Sequence, residues 1–215
     1  MVNSSQFVQQ LQDTFGTNFI SAYRYGDDLE SILLLFNQLT PDLYEKIKIL
    51  FTKNKIIYSQ CHLFTQKEFK EALDVFPLEF ISIQESHLLL AGSDVLQNIS
   101  INLNHLRHEC EFYLRSNMLK LREAALHPKF NPTFIMKQSI GSYIGIFRSL
   151  FKLKGLPVPK AKKDVILQLA NLIPFETSVF ISILDALPQQ KIDSLFPSYL
   201  KELDEIIDRI DHFYA

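Results

Sequence analysis

Phe7, Val8, Leu11 and Phe15 return at helical spacing behind Ser4 and Ser5, either of which can cap a helix N-terminus. Gly16 can end that helix in a left-handed conformation. Residues 18–25 then predict a strand, with Phe19, Ala22 and Tyr23 among its apolar positions, and Gly26-Asp27-Asp28 carries a turn signal. The run SILLLF, residues 31–36, is continuously apolar, which suits a strand buried on both faces. Thr40-Pro41 places a capping hydroxyl before a proline at the first helical position, opening a helix to about Lys53. Residues 55–63 are the third strand candidate. Thr65-Gln66-Lys67-Glu68 is a capping box that starts a short helix ending near Asp74. PLEFISIQ, residues 77–84, alternates and predicts a fourth strand with Pro77 at its first position. Gly92 marks a turn after His87-Leu-Leu-Leu.

From Asn102 onward the period becomes 3.6. Leu103, Leu106, Cys110, Tyr113, Leu114 and Leu121 form one stripe, and Pro128 ends the helix that carries it. Asn131-Pro132 starts another, with Phe134, Ile140, Tyr143, Ile144, Phe147 and Leu150 expected inward. After a break at Gly155, Pro157 and Pro159, helices are expected around 164–172 and 176–187. A last one carries Leu195, Tyr199, Leu203, Ile206, Ile210 and Phe213. Strands confined to the first half and helices alone in the second predict an α+β protein. It would have a mixed-sheet head over residues 1–100 and an all-helical bundle of about five helices over residues 101–215.

Composition narrows the function classes. Hydrophobic residues make up 47% of the 215 and charged residues 21%, enough for a substantial core. The formal net charge of -2 supplies no global field for a polyanion, so nucleic acid is disfavoured as a partner. Cys61 and Cys110, the two cysteines, make no disulfide framework and suit buried thiols of a reducing compartment. The N-terminus lacks a signal-peptide pattern, and no apolar run is long enough to cross a bilayer; both point to the cytoplasm and away from a membrane partner. P-loop, dinucleotide-binding and α/β-hydrolase signatures are absent, as is any His or Cys spacing for zinc. Lys152, Lys154, Lys160, Lys162 and Lys163 surround the proline-rich break as a solvated basic segment without interleaved aromatics.

The stretch from Phe64 to Gly92, FTQKEFKEALDVFPLEFISIQESHLLLAG, is similar to a bacterial family of nucleotidyltransferase-like proteins. Members carry a threonine, a short helix, D-V-F-P-x-E-F and H-x-x-L-x-G. LRHECEFYLRSNMLKLRE, from Leu106 to Glu123, resembles that family's first tail helix, and the order of elements extends the likeness over nearly the whole chain. An active enzyme of this kind would grip nucleotide phosphates with a Gly-Ser after the first strand. It would hold divalent metal with two carboxylates one residue apart on the second strand, and use a third carboxylate from a later strand. The metal is needed because the transferring phosphoryl group carries heavy negative charge that Mg²⁺ stabilises in the transition state.

This chain departs from that pattern. Tyr25-Gly26-Asp27 has no Ser after its Gly, an acid there repels phosphate, and the resemblance implies a shortened loop that could not form an anion nest. What remains is Asp28 and Glu30, which would share one face of a strand and bind Mg²⁺, with Glu79 as the third carboxylate. A second register, with Thr17 after Gly16 standing in for the Ser, fails because a helix and not a strand precedes Gly16. On the resemblance, Gly26, Arg107 and Arg115 would contact a nucleotide, although Arg107-Glu111-Arg115 also reads as an ion-paired solvated face. Arg122 and His127 match the Arg-x4-His spacing of HEPN ribonucleases, where they would act on an RNA phosphodiester; a His at a helix end also simply suits the dipole.

The expectation is therefore a catalytically degenerate nucleotidyltransferase-like protein that binds a nucleotide or a protein. The alternatives are an active Mg-dependent transferase using Asp28, Glu30 and Glu79, and a ribonuclease using Arg122 and His127. A homodimer would be the outlet for apolar helix faces that one bundle cannot bury.

Overall fold

The computed structural model describes residues 4–26, 28–185 and 188–210, so Asp27, Leu187, His212 and Phe213 lie outside the described residues. The chain divides into two compact units, Met1–Asn102 and Leu103–Ala215.

The first unit runs α1 (Ser4–Phe15), β1 (Phe19–Tyr25), β2 (Ser31–Phe36), α2 (Pro41–Lys53), β3 (Cys61–Thr65), α3 (Gln66–Ala72), α4 (Pro77–Glu85) and β4 (His87–Gly92). The strands form one mixed sheet in the order β3-β2-β1-β4, with β1 antiparallel to β2 and β4, and β2 parallel to β3. Helices cover both faces, which is why residues 32–36 of SILLLF are all apolar. Ile32, Leu34 and Phe36 pack with Phe7 and Leu11 of α1 and Leu43, Ile47 and Phe51 of α2. Leu33 and Leu35 pack the other way, with Tyr23, Tyr25, Phe69 of α3 and Phe80 of α4.

Local signals place most element ends. Gly16 leaves α1 at φ +51°. Thr65 accepts from the Glu68 N–H at 3.1 Å while the Glu68 carboxylate accepts from the Thr65 N–H at 2.8 Å, closing the capping box. The expected Thr40 cap is different: Pro41 does sit at the first position of α2, but the Thr40 hydroxyl bonds no helix amide. At the other end of α2, Ile56 N–H donates to Phe51 C=O at 2.9 Å and Lys55 N–H to Thr52 C=O at 3.2 Å, the paired bonds of a Schellman ending. The left-handed residue of that motif is Lys55, at φ +50°, where Gly155 fills the same role after the helix that ends at Leu153. A side chain in this conformation costs about 1–2 kcal/mol. Lys55→Gly is thus expected to raise the urea midpoint, by about 1 kcal/mol of stability; an unchanged or lowered midpoint would count against this ending.

Two strand expectations change. The third strand begins at Cys61, and residues 55–60 are an irregular segment leading into it. PLEFISIQ is not a strand: Pro77–Glu85 is α4, with Pro77 in its first turn. Glu79, Ile81 and Ile83 alternate, but Pro77, Phe80 and Ile81 also sit at helical spacing, and burial of Pro77, Phe80, Ile81 and Ile83 shows which period won. The fourth strand is His87–Gly92.

The second unit is all helix in its described residues: α5 (Leu103–Ala125), α6 (Pro132–Leu153), α7 (Lys162–Leu172), α8 (Thr177–Leu184), α9 (Gln189–Asp193) and α10 (Phe196–Ile210). Asn131 caps α6 through its side chain, accepting from Phe134 N–H at 3.0 Å. Leu106, Cys110, Leu114, Met118 and Leu121 are the buried stripe of α5. Leu103 and Tyr113 are exposed, the first at the helix start and the second on the stripe's margin. Phe134 is 61% exposed, because it lies two residues before buried Met136, about 200° around the helix.

Candidate functional site

β1 and β2 are joined by a tight turn that begins at Gly26, φ +91°. The Gly26 N–H donates to Ser86 C=O at 2.9 Å. Its carbonyl accepts from Leu29 N–H at 2.9 Å and from the Ser86 hydroxyl at 3.0 Å. Both backbone groups of the residue expected to meet a phosphate are therefore bonded within the fold.

Asp28 and Glu30 are exposed and precede β2, which starts at Ser31. Leu29 between them has φ +53°, so the two carboxylates do not share a strand face as the period-two argument requires. The Glu30 carbonyl accepts from Ser59 N–H at 3.0 Å and from Arg24 Nη1 at 3.3 Å, and the same Arg24 nitrogen reaches Ile57 C=O at 2.9 Å. Glu79 projects from the first turn of α4 and not from a strand. Among the described residues no group of three or more His, Cys, Asp and Glu is arranged to hold a metal.

Glu79 instead meets two residues the sequence did not single out. Its Oε1 lies 3.3 Å from His62 Nε2 of β3. His62 stacks on Tyr25 at a ring separation of 6.0 Å and on Phe64 at 6.2 Å. Neither the Tyr25 hydroxyl nor His62 Nε2 makes an aligned hydrogen bond, so at 3.3 Å the His62–Glu79 approach is a close polar contact short of ideal geometry. The His62 imidazole as donor holds the Glu79 carboxyl below the usual carboxylate range, against the opposing effect of burial. Burial, reinforced by the Glu79 charge, pushes the Tyr25 hydroxyl upward. Burial also raises Cys61 to about 11, so that thiol is no thiolate nucleophile at neutral pH. A signal for this cluster exists in the sequence: with α3 and α4 on one face, period two aligns Tyr25, Ser31, His62 and Phe64. It needs the register Tyr25↔Ser31 and Leu33↔His62, which only pairing supplies.

A depressed carboxyl contributes stability above its unfolded pKa of about 4.3 and loses it as pH falls through the lower folded value. Glu79→Gln is therefore expected to flatten the acid limb of the unfolding midpoint below about pH 4.3. Thermal melts across that range check it, and an acid limb identical to wild type would remove the pair from the account.

The arginines expected at a nucleotide belong to the second unit, and Gly26 to the first. Glu111 sits between the two on α5, with Arg115 Nε 3.1 Å and Arg107 Nη1 3.9 Å from its carboxylate, the geometry of a solvated i,i+4 ladder. Arg122 Nη2 donates to both Asp204 oxygens of α10, at 2.7 and 2.9 Å. His127 lies beyond the end of α5, where its Nδ1 accepts from Lys129 N–H at 3.1 Å. In the basic segment, Lys163 pairs with Asp185 and the Lys160 carbonyl accepts from Arg148 at 2.6 Å. No helix among the described residues is long and apolar enough to cross a membrane. No family model matches the chain, and no curated protein matches it either.

Proposed function

We propose that the chain is a nucleotidyltransferase-like protein that has abandoned group transfer and acts by binding, with a protein as the partner its geometry favours over a nucleotide. The observation that carries this reading is the Gly26 turn: its N–H is committed to Ser86 and its carbonyl to Leu29 and Ser86. A phosphate needs unpaired N–H donors, and Mg²⁺ needs converging carboxylates. Asp28 and Glu30 stand in an exposed turn, and Glu79 faces His62. The nucleotidyltransferase likeness draws on the motif residues from Phe64 to Gly92, and the adjacent antiparallel pair β1–β2 is compatible with it.

Labelled ATP, CTP, GTP and UTP, each with Mg²⁺ or Mn²⁺, provide the test. The expected result is no transfer of label to the protein, to RNA or to small acceptors, and no calorimetric heat of nucleotide binding. Transfer that disappears in Asp28→Ala and Glu30→Ala would overturn the reading. Nucleotide binding without transfer would overturn only the preference for a protein partner.

A further inference from the structure

We infer that the open edge of β3, with the groove beside it, receives an extended acidic segment of a partner protein as an added strand. The inference rests on the reading of this chain as a binding protein and names the surface and the chemistry of the partner.

β3 ends the sheet, paired on one side only. In its parallel ladder with β2, Ile32 N–H donates to Gln60 C=O at 2.9 Å, which fixes residues 60, 62 and 64 as those facing β2. The N–H and C=O of Cys61 and Leu63 therefore point out of the sheet, and outside the ladder no backbone hydrogen bond to either is found among the described residues. Edges of this kind are ordinarily blunted by lysine, proline or a bulge. The sequence of β3, Cys-His-Leu-Phe-Thr, contains no lysine or proline, and its pairing with β2 runs without a register shift.

Along this edge runs a groove of about 690 Å³ between α2 and residues 55–63. Tyr44, Phe51, Ile57, Tyr58 and Leu63 supply apolar walls, and Ile57 is 84% exposed. Lys48 and Lys55 also line it, and none of its lining residues is an acid. Lys48 is 3.9 Å from Glu45, but both side chains are mostly in solvent, so the ammonium remains open to a second carboxylate. Strand addition gives main-chain bonds to Cys61 and Leu63, alternate side chains reach the apolar walls, and carboxylates on the partner meet the two lysines. A basic partner fails the charge and a helical one fails the edge.

The test uses the full chain and a displayed library of random peptides, followed by fluorescence polarisation with the synthetic winners. Enriched peptides are expected to alternate apolar residues with Asp or Glu and to bind in the micromolar range. The double variant Lys48→Glu, Lys55→Gly should weaken them by about tenfold. A urea midpoint of the double variant at or above wild type separates lost binding from lost folding. Amide exchange at Cys61 and Leu63 should slow in the complex. Failure to enrich any peptide, peptides indifferent to the double variant, or protection confined to other amides would each overturn the inference. None of these failures touches the transfer assay, which alone decides whether the protein is a catalyst.

Discussion

Gly92→Ala is expected to disable the first unit, with a loss of at least about 4 kcal/mol. Gly92 has φ +88°, and a Cβ built on it would lie 1.9 Å from Ile20 C=O and 2.7 Å from Ser21 Cα. Every atom it would strike is backbone, so no rotamer relieves the contact. Gly92 is paired with Ser21 beside the irregularity where β1 and β4 shift register between Ala22 and Tyr23. Room for a methyl group could come only from parting the two strands, which would expose Tyr23 and Leu89. A total stability of about 5–15 kcal/mol leaves little margin for that. Gly26→Ala is the control. Its φ is +91°, yet nothing lies within 4 Å of the added Cβ, so only the conformational strain of about 1–2 kcal/mol applies. Urea titrations of both variants, with amide exchange over β1 and β4, give the comparison. Equal losses at the two glycines would refute the steric argument.

Phe180→Ala is expected to cost about 3–5 kcal/mol in the second unit. Phe180 of α8 is fully buried and lies in ring contact with Phe175 at 5.2 Å, Tyr199 of α10 at 5.4 Å and Phe147 of α6 at 6.2 Å. Tyr199 cannot move to fill the void without giving up its 3.0 Å hydrogen bond to Ser139. Deletion of the ring therefore loses its transfer free energy and leaves a cavity as well. Phe180→Leu keeps most of the volume and should cost less than half as much. Amide exchange in α6, α8 and α10 should report the loss; a change confined to α8 would mean that the rings are not one cluster.

The division between what was readable and what was not follows the range of the forces involved. Most signals that act within a few residues are realised, the Thr40 cap excepted. Gly16 ends α1, Thr65 and Glu68 close a capping box, Asn131 caps α6, and SILLLF is the strand buried on both faces. Even the change of period near Asn102 meets the start of α5 at Leu103. The failures share a different cause. Residues 77–85 satisfy both a period of two and a period of 3.6, and packing of Phe80 against Phe64 and Phe69 selected the helix. Asp28 and Glu30 looked like a strand pair because their spacing allowed it. The turn bonds between Gly26, Leu29 and Ser86, a residue far along the chain, put them outside the strand.

Phe134 entered the inward set by its apolarity alone, and the angular position of Met136 turned it out. Tyr25, His62 and Glu79 come from three separate elements, so the period-two positions of Tyr25 and His62 join them to Glu79 only once strand register is set. The open edge at Cys61 and Leu63 is likewise a property of strand order, which is set by which strands find each other and not by the residues of β3 alone. The sequence by itself thus determined the elements whose boundaries are locally bonded. The tertiary structure decided which of their polar groups are left to act, because that depends on what long-range pairing has already consumed.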